Sequence, residues 1–432
     1  MTRGERAESN LMGDQINTPV RSGSTPTLRP DQHHEDLAES TFGSPDEVAA
    51  TVLCSSSVAT TARLRALLSS ATPEGALSAM VDGPNVVARV LTEAGCRLSV
   101  ALVEQWASEC SSLVPGQVAR DLRARRESVW WPGKATKPAD ATFGELFADD
   151  DDRPPVLFWH GSIAALGRPR VGIVGTRNAS TAGREMARML GRELSDRGVN
   201  VVSGLALGID AAAHAGALAS PIGQPIGVVG SGLGVVYPPA NRRLWDHVAD
   251  RGLLISELAY GRGPSPSTFP ARNRIIAQLA QVLVVVESGA TGGSLITVDR
   301  AEERGRSVLA VPGNPLSPVS AGTNELLRPN LLGARAFPCL GVADILTLLD
   351  VEVVSDPGFA DDRSQPSSTD EAVLSALGWD ELSVGALAAR LSQGSECQRL
   401  GLAELALALA RLEGQGWVSR SAGRWRRVGV NR

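Results

Sequence analysis

The chain has 432 residues, 43% of them hydrophobic, a net charge of −5 and five cysteines. That length supports about three domains with a substantial buried core. No run approaches the ~18 uninterrupted apolar residues of a membrane helix, the opening MTRGERAESN has no apolar signal core, and the cysteines (Cys54, Cys96, Cys110, Cys339, Cys397) form no CxxC pair; the expectation is a cytoplasmic protein with no membrane association, disulfide framework or metal site.

Residues 1–45 are rich in Ser, Thr, Pro and charge without a hydrophobic period, and are expected to be disordered. Over residues 46–126 apolar residues recur at helical spacing, broken by segments such as Asp82-Gly83-Pro84, which predicts a small helical domain. A linker follows, holding Trp130-Trp131-Pro132 and the acidic run 149–152. From Val171 the pattern becomes short β-branched runs: VGIVG (171–175), VNVVSG (199–204), IGVVGSG (226–232), LLISE (253–257), VLVVVES (282–288) and SVLAVPG (307–313). Helical stretches alternate with them at 181–197, 210–219, 241–251, 272–280 and 293–305. Nearly continuous apolar runs suit strands buried on both faces, so the spacing predicts an α/β fold with a doubly wound, mostly parallel sheet and its loops gathered at the strand C-terminal edge. An acidic, Ser/Pro-rich linker spans 351–368. The tail, 369–432, reads as helices at 370–378, 383–391 and 401–413 with strands at 417–420 and 424–428, the plan of a winged helix.

The acidic balance is not uniform. Residues 171–334 carry 15 Lys and Arg against 12 Asp and Glu, whereas residues 1–170 carry 17 against 22. Lysine occurs only at Lys134 and Lys137, so a phosphate contact in the α/β region has to come from Arg, backbone N–H or hydroxyl groups.

Five glycine-rich turns sit at strand ends. In Val174 to Ser180, Gly175 permits a tight turn, while Thr176, Arg177, Ser180 and the start of the following helix can hold an anion. This is neither GxGxxG nor a Walker loop, and a turn with no ligand remains an open reading. In Ser203-Gly204 to His214, Asp210 can cap the next helix and His214 lies one turn on; without a nucleophile elbow or a third metal ligand, a cap and polar bridge is favoured over catalysis. Gly230 to Asn241 allows close approach of a ligand around Gly232, with Tyr237 as a flat face. Phe269-Pro270-Ala271-Arg272-Asn273-Arg274 places an aromatic beside two arginines and an amide at a helix start, where cations oppose the dipole unless an anion is bound. The last turn is Glu287 to Thr297. Five such loops on one edge imply an extended polar groove.

With the ordered set WWP, PPVLFWHG (154–161), GTRNAS, SGLALGIDAAAH, GSGLGVVYPPAN, ISE, FPARNRIIA, VVVESGATGGSLIT and AVPG, residues 127–334 resemble the DprA/Smf DNA-processing family. The resemblance implies an extended Rossmann-like domain over 127–350, a SAM-like helical domain before it and a winged helix after it. It further implies homodimers, cooperative binding of single-stranded DNA without a catalytic site or cofactor, and delivery of RecA onto that strand during natural transformation. Carried over residue by residue, the DNA groove comprises Gly175, Thr176, Arg177, Ser180, Ser203, Gly204, Gly232, Phe269, Arg272, Asn273 and Arg274. Pocket lysines common in relatives have no counterpart, since both lysines precede residue 171. The alternative is a nucleotide phosphoribohydrolase of the lysine-decarboxylase-like type, but ESGATGGSLIT lacks that family's Pro-Gly-Gly and glutamate. As a DNA reader, the helix 401–413 is poor material, being mostly Leu and Ala with Arg411 as its only base.

Overall fold

The computed structural model describes residues 43–134, 138–329, 333–349, 366–377, 382–392, 400–421 and 423–427. The expected disordered leader and the linker 351–368 fall almost wholly outside these residues. Among the described residues no helix is long and apolar enough to cross a membrane.

The helical stretch comprises α1 (Pro45–Ser55), α2 (Thr61–Leu68), α3 (Pro73–Asp82), α4 (Pro84–Glu93), α5 (Val100–Ser111) and α6 (Pro115–Arg125). Its punctuation is local: α1, α3, α4 and α6 start on proline, and Ser44, Thr60, Thr72 and Ser99 cap α1, α2, α3 and α5 with their hydroxyls. Ser44 and Glu47 form a reciprocal capping box. Trp106 is fully buried against α1 and donates its indole N–H to the Leu53 carbonyl at 3.0 Å.

The segment expected to be a linker is instead structured. Ser128–Trp130 forms strand β1, followed by α7 (Pro138–Leu146) and β2 (Leu157–Gly161). Trp130 is buried with its ring centroid 5.7 Å from that of Phe143 and 5.8 Å from that of Phe147. Two residues of the acidic run pair with arginines distant in sequence: Asp150 with Arg304 at 3.0 Å, and Asp152 with Arg65 at 2.8 Å and Arg274 at 3.5 Å. Charge runs suggest solvent when read along the chain, and these partners become neighbours only in the fold.

The expected alternation then follows as β3 (Arg170–Val174), α8 (Thr181–Asp196), β4 (Asn200–Ser203), α9 (Ile209–Ala219), β5 (Ile226–Val229), α10 (Arg242–Arg251), β6 (Leu253–Ser256), α11 (Thr268–Leu279), β7 (Val282–Val285), α12 (Gly293–Glu302) and β8 (Ser307–Ala310), and it continues beyond the predicted elements with α13 (Ala321–Leu327), β9 (Phe337–Pro338) and α14 (Val342–Leu349). Among the described residues the sheet has nine strands in the order β1-β2-β6-β5-β4-β3-β7-β8-β9, antiparallel across β1-β2 and β2-β6 and parallel elsewhere. Every residue of β4, β5, β6 and β7 is buried, as strands covered on both faces require. From β3 the chain winds outward through β4, β5 and β6, and then α11 returns it to β7 on the other side of β3. The strand order therefore reverses between β3 and β7, and their carboxyl ends open a crevice.

The C-terminal residues form α15 (Ser368–Leu377), β10 (Leu382–Ser383), α16 (Val384–Ser392), α17 (Leu402–Gly414), β11 (Val418–Ser421) and β12 (Arg424–Arg427), with strand order β10-β12-β11 around buried Leu387, Leu409, Leu412 and Trp425. The two-residue β10 was not anticipated, being too short for a period-2 pattern to register.

Candidate nucleic-acid interface

The crevice at the strand reversal holds a cavity of about 350 Å³, lined from the β3 loop, the turn before α9, and the first turns of α11 and α12. The β3 loop can turn there because Gly175 has no side chain: a Cβ would lie 2.5 Å from Ile209 and 2.8 Å from the Glu287 carbonyl. The Thr176 N–H donates to that carbonyl at 2.8 Å, tying the β3 loop to the end of β7. This leaves Arg177 exposed at the mouth.

Beyond Arg177 the expected anion site departs from the sequence reading. Ser180 caps α8, accepting from the Gly183 N–H at 2.9 Å, while its own N–H donates to Glu287 at 2.9 Å and its hydroxyl to the same carboxylate at 2.5 Å. A Cβ on Gly183 would meet that carboxylate at 2.3 Å. The positive end of α8 is thus occupied by the protein's own anion, and Ser180 holds the loop in place of contacting a ligand.

At the end of β4, Ser203 is fully buried and donates to the Ile173 carbonyl at 2.6 Å, so it locks β4 to β3 and does not reach the cavity. Gly204 does: its carbonyl accepts from Arg272 at 2.7 Å, and a Cβ there would lie 2.3 Å from the guanidinium. Its N–H donates to Asp210 at 3.1 Å. Asp210 therefore closes the turn before α9 instead of capping that helix, whose N-cap residue is Gly208, and among the described residues no hydrogen bond joins it to His214. Burial pushes the Asp210 carboxyl up, opposed by the Arg272 charge and by the Ala206 and Gly204 N–H groups.

On α11, Arg272 is 7% exposed and lines the cavity; one Nη donates to the Gly204 and Val228 carbonyls and Nε to Asn273 at 3.2 Å. Burial pushes its pKa down to about 10, opposed by the Asp210 carboxylate, so it remains a cation at neutral pH. Its Nη2 has no acceptor among the described residues and is available to a ligand. Asn273 bridges α11 and α12 through the Gly293 carbonyl at 3.4 Å. Two residues carried over from the resemblance lie elsewhere. Arg274, two positions on and so on another side of α11, is buried in ion pairs with Glu257 and Asp152. Gly232 is packed beneath residues 259–260, where a Cβ would lie 2.0 Å from the Ala259 carbonyl.

Above the mouth, Arg177 from the β3 loop, Tyr237 from the loop after β5 and Phe269 from the first turn of α11 cluster together, the two rings tilted by 41°. The Arg177 guanidinium lies 4.7 Å from the Phe269 ring centroid, and the Tyr237 ring lies 5.3 Å from Phe269. Gly230 makes room for Phe269, since a Cβ there would touch the ring at 3.0 Å. Of the carried-over residues, the fold thus gathers Gly175, Thr176, Arg177, Gly204, Phe269, Arg272 and Asn273, and withholds Ser180, Ser203, Gly232 and Arg274. The carried-over set missed Asp210, Tyr237, and Gly292, Gly293, Ser294 and Thr297 of the last glycine-rich turn. That turn's glycine density was the signal available for the last four.

Residues 134–349 match the family model described as DNA recombination-mediator protein A. The DNA processing protein DprA of Streptococcus pneumoniae is 44% identical over 177 residues, covering 41% of this chain and 62% of that relative. A putative DNA processing protein DprA of Mycobacterium tuberculosis is 34% identical over 315 residues, covering 66% of this chain and 77% of the relative. In Synechocystis, Protein Smf is 38% identical over 217 residues, 47% of this chain and 54% of that protein; for this relative and the streptococcal one, the similarity spans less than two thirds of their length. The X-ray structure of DNA processing protein A from Streptococcus pneumoniae superposes with a TM-score of 0.55 at 30% identity, over 70% of this chain and 97% of that one.

Proposed function

The chain belongs to the DNA recombination-mediator protein A family, the DprA/Smf proteins, and from that premise we propose that it binds single-stranded DNA at the β3/β7 crevice, and that as a homodimer it delivers a RecA-type recombinase onto the bound strand. The observation that carries the reading is the Tyr237-Phe269-Arg177 cluster above a cavity lined by Arg272. Aromatic faces take unpaired bases regardless of identity, and arginine takes the phosphates between them. Duplex DNA has its bases stacked internally and offers no free face to Phe269. The winged-helix reading of 369–432 fits a protein contact better than groove reading: Arg411 on α17 is already paired with Asp370 at 2.9 Å, while Leu402 and Leu407 are exposed.

The test is binding of labelled single- and double-stranded oligonucleotides across a salt series. Single-strand affinity is expected to fall steeply with salt and to exceed duplex affinity throughout. Equal affinity for the two forms would overturn the groove, and failure of the bound complex to accelerate RecA filament formation would overturn the delivery step.

A further inference from the structure

Gly232, expected at a ligand, and its neighbour Gly234 serve the protein's own packing. The Gly232 N–H donates to the Arg262 carbonyl at 2.8 Å, and the Gly234 N–H to the Tyr260 carbonyl at 3.2 Å. A Cβ on Gly234 would lie 2.4 Å from the Tyr260 ring, so the missing side chain is what lets that ring close over the loop. Farther along, the Thr268 hydroxyl donates to the Gly230 carbonyl at 2.7 Å. The loop after β5, which carries Tyr237, and the loop after β6, which leads into Phe269, are therefore laced together.

This double loop is anchored on the helical stretch. Ala259 is buried in the same apolar cluster as Leu53, Leu91 and Trp106, and Leu233 packs against that cluster. The next residue, Tyr260, is 39% exposed, and the guanidinium of Arg125, at the end of α6, lies 3.7 Å from its ring centroid. Arg125 is itself held, with Asp121 at 3.1 Å and Glu127 at 3.6 Å, and its carbonyl is hydrogen-bonded to His160 at 3.0 Å. The Tyr260 hydroxyl has no hydrogen-bond partner among the described residues, so what the side chain contributes is its ring. Loops that are loose in the free protein have to be ordered at each binding event, and a contact that orders them beforehand removes that cost.

Resting on the single-strand reading above, we propose that Tyr260 and Arg125 are positioning residues for strand binding: α6 holds the Tyr260 ring, the Tyr260 backbone holds the Tyr237 loop, and the helical stretch thereby sets the Tyr237–Phe269 face that meets the bases. Neither residue lines the cavity, so both act through that face.

The chain contains two tyrosines, Tyr237 and Tyr260, so fluorotyrosine labelling of the full chain gives two fluorine resonances, assigned with Tyr260→Phe. Arg125→Ala is expected to shift the Tyr237 resonance through Tyr260. It is also expected to weaken binding of a labelled oligothymidylate about two- to fivefold, the worth of an exposed cation–π contact, at an unchanged salt slope. Tyr260→Phe and Arg125→Lys keep the ring and the cation and are expected to bind as wild type. If Arg125→Ala fails to fold, Tyr260→Leu, which fills the space without a ring face, is expected to show the same shift and the same loss. An unmoved Tyr237 resonance or wild-type affinity in the folded variant would overturn the positioning role. So would a salt slope reduced in magnitude by about 0.7 in Arg125→Ala, which would make Arg125 a direct phosphate contact. A shifted Tyr237 resonance in a protein that binds no oligonucleotide would uphold the anchoring and remove the strand reading; strand binding with the Tyr237 resonance unmoved would do the reverse.

Discussion

The guanidinium of Arg177, from the loop after β3, rests 4.7 Å from the ring centroid of Phe269, in the first turn of α11. The two residues thus present one surface, an aromatic ring beside a charge. In a double-mutant cycle on single-strand binding, Arg177→Ala and Phe269→Ala are expected to be non-additive by about 0.5–1 kcal/mol, the worth of an exposed cation–π contact. Strict additivity would mean that the two side chains contribute to strand binding independently of one another.

The fit of Gly204 against Arg272 gives a second prediction. A Cβ at residue 204 would meet the guanidinium at 2.3 Å in a site where Arg272 is 7% exposed. Gly204→Ala is expected to lower stability by about 1–3 kcal/mol and to weaken single-strand binding, because the displaced guanidinium lines the cavity together with Arg177. Gly261→Ala, which meets nothing within 4 Å, is the control, with a change under about 0.5 kcal/mol. Urea unfolding of both variants, with binding measured in parallel, makes the comparison.

Two buried groups set opposite pH dependences. Burial lowers the His214 pKa from 6.5 to about 4, so its contribution to stability is present above pH 6.5 and is lost as pH falls toward 4. Glu127 is pushed from 4.5 up to about 7 by burial, with Arg125 opposing, so its contribution is present below pH 4.5 and is lost as pH rises through 7. Between these limits the slopes offset one another in the wild type. In urea unfolding across this range, Glu127→Gln is expected to gain stability with rising pH more steeply than wild type, and His214→Asn less steeply. Parallel profiles for all three proteins would contradict the assignment.

The Asp150–Arg304 pair predicts a structural effect without a binding one. Both side chains are less than a tenth exposed, and Asp150→Ala would strand the guanidinium. The expected cost is at the lower end of ~3–5 kcal/mol, because Glu303 stands 3.7 Å from Arg304. Chemical denaturation measures it, and the folded variant is expected to retain wild-type single-strand affinity.

What could be read along the chain was periodicity and local chemistry. The strands around Gly175, Ser203 and Glu287 stand where their apolar runs end, and their turns lie together at one sheet edge. What escaped was every relationship depending on which way a side chain points across the fold. Arg272 and Arg274 look equivalent in the sequence, yet two positions on a helix separate them by some 200°, and one lines the cavity while the other is buried beside Glu257. Ser180 looked available to an anion until Glu287, 107 residues on, arrived at its hydroxyl. The acidic run at 149–152 reads as linker along the chain because Arg65, Arg274 and Arg304, which pair with Asp150 and Asp152, are distant in sequence.

The central claim is that the β3/β7 crevice binds single-stranded DNA by stacking on Phe269 and by charge at Arg177. The most direct measurement is the salt dependence of oligonucleotide affinity in the wild type, Phe269→Ala and Arg177→Ala. Phe269→Ala is expected to lose about 1–3 kcal/mol of affinity with its salt slope unchanged, since stacking releases no counterions. Arg177→Ala is expected to weaken binding across all sequences and to reduce the slope magnitude by about 0.7, the single-strand value for one phosphate. Wild-type affinity and slope in both variants, with folding confirmed by circular dichroism, would contradict the account.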